Sequence, residues 1–576
     1  MKTENSAPMI DEAAYLEKAA KARKASWPKN KPREPVYPLG EISMGEILRQ
    51  RAIIDPSKTV LDFYGKALSY AELDELSERF ANLLASSGVG TGDRVAVYMQ
   101  NCPQYFIVFY GILKLGAVFV PVNPMFLEPE LRHELRVSGA KVIVAQDQLL
   151  DQVHAVAADC ELDHIFTTAM SDLLPENPEG LLPSVLLAAR KDCTGTRDLM
   201  DSIARSDAKK IAYDIDLDAM AALNFTGGTT GLPKACVHTQ RDMIYTCATG
   251  GVLCYELDES SIVNCFMPLF WIAGEGIGLL MPIYFGCTLI LQSRWDASAF
   301  TAAVERHRVT HTFMLVDNAI EILNSESCKN DDISSLKFVK TASFVSRITP
   351  KLRADWRART GAALHEVSWG MTETHTYDVF TSGFQDDDRD LGYEGSFVGL
   401  CVPGTEVKIL DFDSGVLMPM GLAGEIVLRS PSVTRTYLNA GGRTEDALDS
   451  DGWFKTGDSG VLNEDGTLCY LGRRKDLIKV KGMSVFPSEL EVIIATHPAV
   501  VKVAVVPRPD PIKGQVPVAF VSLVSDDAIS AEDLTAWAKT QFSSFKQPEF
   551  RVISAFPETF SGKIRKNELI AQYIGA

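Results

Sequence analysis

The segment Ala221-Ala-Leu-Asn-Phe-Thr-Gly-Gly-Thr-Thr-Gly-Leu-Pro-Lys234 runs from a short apolar stretch into three glycines, three threonines and a lysine. Glycine reaches positive φ and lets a backbone approach a ligand closely, so successive N–H groups can form an anion nest, to which hydroxyls and an ammonium add donors. Such a set suits a polyphosphate. It is not a Walker A loop, because Lys234 does not directly follow a glycine and no Ser or Thr comes after it. Ser368-Trp-Gly-Met-Thr-Glu373 sets an aromatic face for a base beside oxygens on Thr372 and Glu373 that suit Mg2+. Gly452-Trp-Phe-Lys-Thr-Gly-Asp458 presents a carboxylate able to take the two hydroxyls of a ribose. Ser561-Gly-Lys-Ile-Arg565 places Lys563 at the expected start of the last helix. Taken singly, the first, third and fourth have plainer readings, a solvent loop, an ordinary turn aspartate and a surface lysine, and the second is a weak signal alone.

The elements that must position these residues follow from local pattern. Ser69-Tyr-Ala-Glu72 is a capping box, and Leu73, Leu76, Phe80, Leu83 and Leu84 recur at helical spacing until Gly88. Arg94–Met99 reads as a strand, Tyr105–Leu115 as a helix and Ala117–Val122 as a strand, a rhythm that implies a parallel α/β sheet. From Val500 the character changes. Val500–Val506, Pro517–Val524 and Arg551–Phe556 read as strands, with helices over Ser530–Phe542 and Lys563–Ile574. The expected organisation is therefore α/β, with a large N-terminal domain over residues 1–472 and a small α+β domain over 477–576. The boundary is placed at 473–476, in the basic stretch Gly472-Arg-Arg-Lys-Asp476.

The 576 residues carry 57 Lys+Arg against 75 Asp+Glu, a formal net charge of −18, which argues against a general nucleic-acid binder or a protein held on anionic lipid. Residues 471–576 hold 14 Lys+Arg and 11 Asp+Glu, net +3, so the acid lies in the large domain and the tail suits a phosphate-rich ligand. Eleven cysteines without a Cys-x-x-Cys pair speak against a disulfide framework or structural zinc, and a cytoplasmic location is expected. The apolar run Tyr105–Val122 is broken by Lys114, Gly111, Gly116 and Pro121 and reads as buried helix and strand, not a transmembrane segment.

In this order the four segments resemble the adenylate-forming (AMP-binding) superfamily, which includes acyl- and aryl-CoA synthetases, luciferases and peptide-synthetase adenylation domains. The resemblance runs from about Ser69 to Leu569 and includes Gly92-Asp-Arg-Val95, Gly472–Lys479, Gly482 and Pro487. It implies an N-terminal domain with α/β sheets and a β subdomain, and a mobile C-terminal lid. It further implies that Thr226, Gly227, Gly228, Thr229, Thr230, Gly231 and Lys234 bind the phosphates of ATP. Trp369 and Gly370 would lie against adenine, with Thr372 close by and Glu373 as the Mg2+ ligand. Asp458 would hold the ribose, and Arg473 the nucleotide. Lys475 would be the hinge, and Lys563 the lysine that enters the site only for adenylation; Thr226, Glu373 and Lys563 are the catalytic set. Lys479, Lys481 and Gly482 would line the pantetheine tunnel of coenzyme A. The implied activity is that of a carboxylic acid–CoA ligase releasing AMP and pyrophosphate, with ATP, Mg2+ and CoA as cofactors and a fatty or aryl acid as substrate. Monomer and homodimer both stay open.

This sequence departs from the family pattern in places. Phe344-Val-Ser-Arg347 replaces the usual Gly-Gly-Ala-Pro, Trp271 stands where many CoA ligases carry histidine, and Gly227 stands where serine is common. Trp271, Gly274 and Phe344 are taken as candidates for the acyl pocket, which Met267 and Gly276–Leu280 suggest is apolar. Two rivals remain: an adenylating enzyme with another acceptor (carrier protein, amino-acid activation, luciferase-like oxygenation), and a nucleotide-binding protein that has lost catalysis. His307 and His311 are read as helix end and strand start rather than metal ligands, Asp386-Asp-Asp388 as a solvated loop, and Cys236 as a small buried residue.

Overall fold

The computed structural model describes residues 10–211, 214–226, 233–343, 346–393, 395–438, 447–480, 483–525, 528–542, 546–558 and 563–574. Ser69 and Glu72 close the expected capping box at the head of the helix Tyr70–Ser86, whose Leu73, Phe80, Leu83 and Leu84 turn inward. It packs on the helix Pro103–Leu115, which is buried on every side and ends at Gly116 with φ 73°. The single charge of that helix, Lys114, is accommodated because its Nζ donates to the Asp74 carbonyl at 2.8 Å and pairs with Glu78 at 3.3 Å. No helix among the described residues is long and apolar enough to cross a membrane.

Two largely parallel sheets form the large domain. The first runs, edge to edge, Tyr437–Leu438, Lys234–Thr239, Met220–Thr226, Val118–Pro121, Arg94–Tyr98, Val142–Gln146, His164–Thr168 and Arg197–Asp198. Its antiparallel end is the hairpin of Met220–Thr226 with Lys234–Thr239, to which Tyr437–Leu438 adds a third strand. The second runs Leu364–Glu366, Phe338–Ala342, His311–Leu315, Ile262–Cys265, Thr288–Leu291, Thr59–Phe63 and Lys66–Ser69. Helices cover these sheets, which is why strands such as Val118–Pro121 and Val142–Gln146 are apolar without alternation. A third, antiparallel sheet spans Val379–Arg473 and carries Asp458 and Arg473 on adjacent strands. The small domain is built on the hairpin Val500–Asp510 with Gly514–Leu523, and its core gathers Ile478, Leu490, Val505, Val521 and Leu534.

Three local expectations shift. The strand placed at Arg551–Phe556 spans Glu549–Val552, because it pairs in parallel with Val518–Val521 over those four residues. The last helix begins at Lys566; Ile564 bridges back to Glu558 and the Arg565 N–H donates to the Pro557 carbonyl, so Lys563 precedes the helix in an extended stretch. Asp386–Gly392 is a 3-10 turn and not a free loop: Asp388 and Asp390 pair with the buried Arg353 at 2.9 and 2.6 Å. His307 does close a helix and His311 does open a strand, and Cys236 is fully buried.

Candidate active site

Asp458 and Arg473 oppose each other in register on the strands Phe454–Leu462 and Leu468–Arg473. Arg473 Nε lies 2.9 Å from Asp458 Oδ1 without the alignment of a directed hydrogen bond, while the indole N–H of Trp369 donates to Oδ2 at 2.9 Å. Asp458 is only 3% exposed. Burial pushes its carboxyl up to about 6 against the opposing pull of Arg473 and the indole, and Glu373 adds to the rise. Lys563 reaches this group from the small domain. The residue as a whole is exposed, yet enclosure of its ammonium lowers its pKa, with Arg473 adding repulsion and Asp458 opposing it. Trp369 therefore has two tasks open to it, a face for a base and a tether for the neighbouring carboxylate.

The hairpin of Met220–Thr226 with Lys234–Thr239 brings Thr226 and Lys234 into register as the last pair of its described ladder. Lys234 Nζ sits 4.6 Å from the centroid of the Tyr437 ring, and the Tyr437 hydroxyl donates to Glu373 Oε1 at 3.0 Å. A divalent cation fits here on the chemistry of the donors. No group of three or more His, Cys, Asp or Glu that could hold a metal occurs among the described residues. A single carboxylate completed by phosphate oxygens and water is the pattern Mg2+ favours with nucleotides. Glu373 would hold it, through the oxygen that Tyr437 leaves open.

Behind the Thr372–Thr374 turn lies a buried polar network. Asn224, on the strand Met220–Thr226, donates to Glu275 Oε2 at 2.7 Å; Glu275 Oε1 is 3.2 Å from His375 Nε2, and Thr246 Oγ1 is 3.0 Å from His375 Nδ1. His238 Nε2 lies 2.7 Å from the Thr372 carbonyl, which can only accept, so that nitrogen carries the proton. His375, Thr376 and Tyr377 follow one another at φ 56°, 57° and 59°. Left-handed backbone costs on the order of 1–2 kcal/mol per residue, so the network must over-determine this turn. Gly370 is fixed by the same turn: a Cβ there would stand 2.7 Å from Tyr377 N. Asp378 closes the loop, its N–H on the Trp369 carbonyl at 3.1 Å and its carboxyl bonded by Thr374; burial raises that carboxyl to about 7.

The remaining expected residues divide. Trp271 caps a short helix, Ile272–Gly274, that runs straight into Glu275, and a Cβ on Gly274 would meet the Pro268 carbonyl at 2.0 Å. Lys475 lies in the 3-10 turn Arg474–Asp476, between the third sheet and the small domain. Lys479 is exposed on the strand Ile478–Val480, its N–H held by Gln515. Gly227, Gly228, Thr229, Thr230, Gly231, Phe344, Lys481 and Gly482 lie outside the described residues. A cleft of about 280 Å³ opens between the domains beside Arg347, Lys351 and Lys502, and none of the side chains around Asp458 or Glu373 lines it.

Sequence reasoning passed over Asn224, His238, Glu275, His375, Asp378 and Tyr437. Only Asn224 and Tyr437 carry a local signal, one lying just before the Thr/Gly-rich stretch and the other following Thr434-Arg-Thr436.

Comparison with known proteins agrees with this geometry. The family model described as AMP-binding enzyme matches residues 48–438, and that of the AMP-binding enzyme C-terminal domain matches 489–563. The chain is 31% identical over 519 residues to 4-coumarate–CoA ligase 2 of Oryza sativa subsp. japonica, covering 88% of each. It is 28% identical to a long-chain-fatty-acid–CoA ligase of Bacillus subtilis (strain 168), covering 95% of this chain and 97% of the other. Among solved structures, an anthranilate CoA ligase in complex with anthranoyl-AMP superposes with a TM-score of 0.80 at 25% identity, over 94% of this chain and 98% of that one. The protein belongs to the adenylate-forming, AMP-binding enzymes, on the branch of the acid–CoA ligases.

Proposed function

We propose that this protein joins an apolar carboxylic acid, aromatic or aliphatic, to coenzyme A in two steps on one site. In the first, a carboxylate oxygen attacks the α-phosphorus of ATP, the bond to the bridging oxygen breaks and pyrophosphate leaves. In the second, the CoA sulfur attacks the acyl carbon of the mixed anhydride, AMP departs and the thiol proton is lost. The observation that carries this reading is the convergence of Asp458, Arg473 and Trp369 with Lys563 of the small domain.

In this reading Asp458 accepts the ribose hydroxyls and Trp369 lies against the base. Thr226 and Lys234, with the glycines between them, hold the β- and γ-phosphates. A divalent cation bound at Glu373 supplies charge neutralisation along the triphosphate. Lys563 places an ammonium where negative charge grows as acid and phosphorus approach, which is where a fixed charge lowers a barrier most. The second step has no use for that charge. The small domain then turns about 473–476, with Lys475 at the pivot, and brings Lys479, Lys481 and Gly482 to the thiol's path.

The acid enters from the side of Trp271 and Gly274. Relatives named for 4-coumarate and for long-chain fatty acids both support an apolar acid. The test is a panel of aromatic and aliphatic acids, each incubated with ATP, Mg2+ and CoA and scored for AMP with and without CoA. AMP formed together with an acyl-CoA is expected for one class of apolar acid. No acid-dependent ATP–pyrophosphate exchange with any member would overturn the reading.

A further inference from the structure

The segment 430–438 grips both halves of the site. Ser432 Oγ donates to the Thr374 carbonyl at 2.7 Å, the Thr434 N–H to the Glu373 carbonyl at 2.6 Å, and the Tyr437 hydroxyl to Glu373 Oε1 at 3.0 Å. On its other side the same segment is the edge strand against Lys234–Thr239, with Tyr437 opposite Cys236 and Leu438 opposite Ala235. Val237 N donates to Thr434 Oγ1 at 3.1 Å, and Thr434 Oγ1 donates to the Val237 carbonyl at 3.0 Å. The aromatic ring that carries the Tyr437 hydroxyl also lies under Lys234 Nζ, at 4.6 Å.

We infer that Tyr437 is a positioning residue that sets the carboxylate of Glu373 for the metal and the ammonium of Lys234 for the phosphates through one rigid side chain. This rests on the adenylation reading above. A phenol that donates to Oε1 fixes the rotation of the carboxylate and directs the free lone pairs of Oε2 outward. Without that bond the carboxylate rotates, and a cation held by Glu373 and phosphate oxygens loses an anchor of fixed direction. The ring acts separately. A lysine over an aromatic face keeps its charge while its stem is held, so the ammonium is ordered before the phosphate arrives. Because Tyr437 belongs to the strand beside Lys234–Thr239, the two effects share a backbone and cannot drift apart.

Two substitutions separate the two effects in the full-length enzyme. Tyr437→Phe keeps the ring and removes the donor; Tyr437→Leu removes both. Binding of Mn2+ to the complex with a non-hydrolysable ATP analogue is read by electron paramagnetic resonance, and binding of the analogue without metal by calorimetry. Tyr437→Phe should weaken Mn2+ by about 10–100-fold, as loss of an outer-shell partner does, and leave metal-free binding within about twofold. Tyr437→Leu should weaken both. In a Glu373→Gln background, Tyr437→Phe should add nothing to the Mn2+ loss, since the partner is already changed. Equal Mn2+ affinity in wild type and Tyr437→Phe, or an additive loss in the double variant, overturns the inference. A wild type that binds the analogue and Mn2+ but shows no acid-dependent pyrophosphate exchange overturns the function instead, and leaves the positioning result to be judged on binding alone.

Discussion

Trp369→Phe isolates the tether on Asp458. The substitution keeps an aromatic face but removes the indole N–H that donates to Asp458 Oδ2 at 2.9 Å. A hydrogen bond to a charged group is worth about 1.5–3 kcal/mol, and each pKa unit about 1.4 kcal/mol, so the carboxyl should climb by roughly 1–2 units. From its starting value of about 6 it would reach roughly 7–8. The ionised carboxylate is the better acceptor for ribose hydroxyls, so kcat/KM for ATP in pyrophosphate exchange should rise with pH through the Asp458 titration. In the wild type that rise is centred near 6; in Trp369→Phe it moves up by roughly 1–2 units. The smaller ring also leaves a void in the core around Met371 and Val398, which lowers overall stability and activity. That loss is independent of pH, so the position of the limb and not its height is the readout. Asp458→Asn should abolish the limb altogether. A limb at the same pH in wild type and Trp369→Phe refutes the coupling between indole and carboxylate.

Further outcomes follow from other parts of the site. Lys563→Ala should lower pyrophosphate exchange by about 10²–10³-fold while thioester formation from a supplied acyl-adenylate stays within a few-fold; equal loss in both steps refutes the role given to Lys563. Asp378, buried and raised to about 7, is protonated in the fold over the range in which the unfolded chain has already ionised it. Its contribution is thus greatest below the ordinary aspartate range near 4 and is lost as pH rises through about 7. The melting temperature of wild type relative to Asp378→Asn should therefore fall between pH 5 and pH 8, and a constant difference contradicts the buried neutral carboxyl. Glu275→Ala strips partners from Asn224 and His375 at once and should cost about 2–5 kcal/mol in urea unfolding, more than Glu275→Gln; equal stability of the two variants would sink the network.

How far the sequence reaches depends on the range over which a residue's partner lies. The capping box at Ser69, the buried helix before Gly116 and the short apolar strand that ends at Thr226 are decided within a few residues, and each is where pattern places it. The last helix begins later than its periodicity suggests because Ile564 is drawn into a bridge with Glu558, a tertiary contact that propensity does not encode. The polar network is the harder case. Asn224, Glu275 and His375 meet across 51 and 100 residues, and neither Glu275 nor His375 belongs to a spaced motif. Their types gave no warning, because a lone Asn in a strand or a Glu in an apolar run has many ordinary explanations.

The left-handed turn at His375–Tyr377 shows why those distant partners are needed. The loop that offers Trp369 and Glu373 must reverse within a few residues so that the indole meets Asp458 while the carboxylate meets Tyr437. Right-handed backbone would carry the chain away in helical sense, and three non-glycine residues at positive φ are unfavourable alone. Each is restrained from a different element: His375 by Glu275 and Thr246, Thr376 through its N–H on the Met371 carbonyl, and Tyr377 by Tyr255 at 3.1 Å. Glu275 lies one residue beyond Gly274 and four beyond Trp271, so the turn is braced by the segment from which the acid is expected to enter. An acid that displaces Trp271 would bear on Glu275, then on His375, and so on the loop that presents Glu373. Pyrophosphate exchange in Trp271→Ala should accordingly show a changed dependence on Mg2+ as well as on the acid. A change confined to the KM of the acid would show that the brace and the pocket are independent.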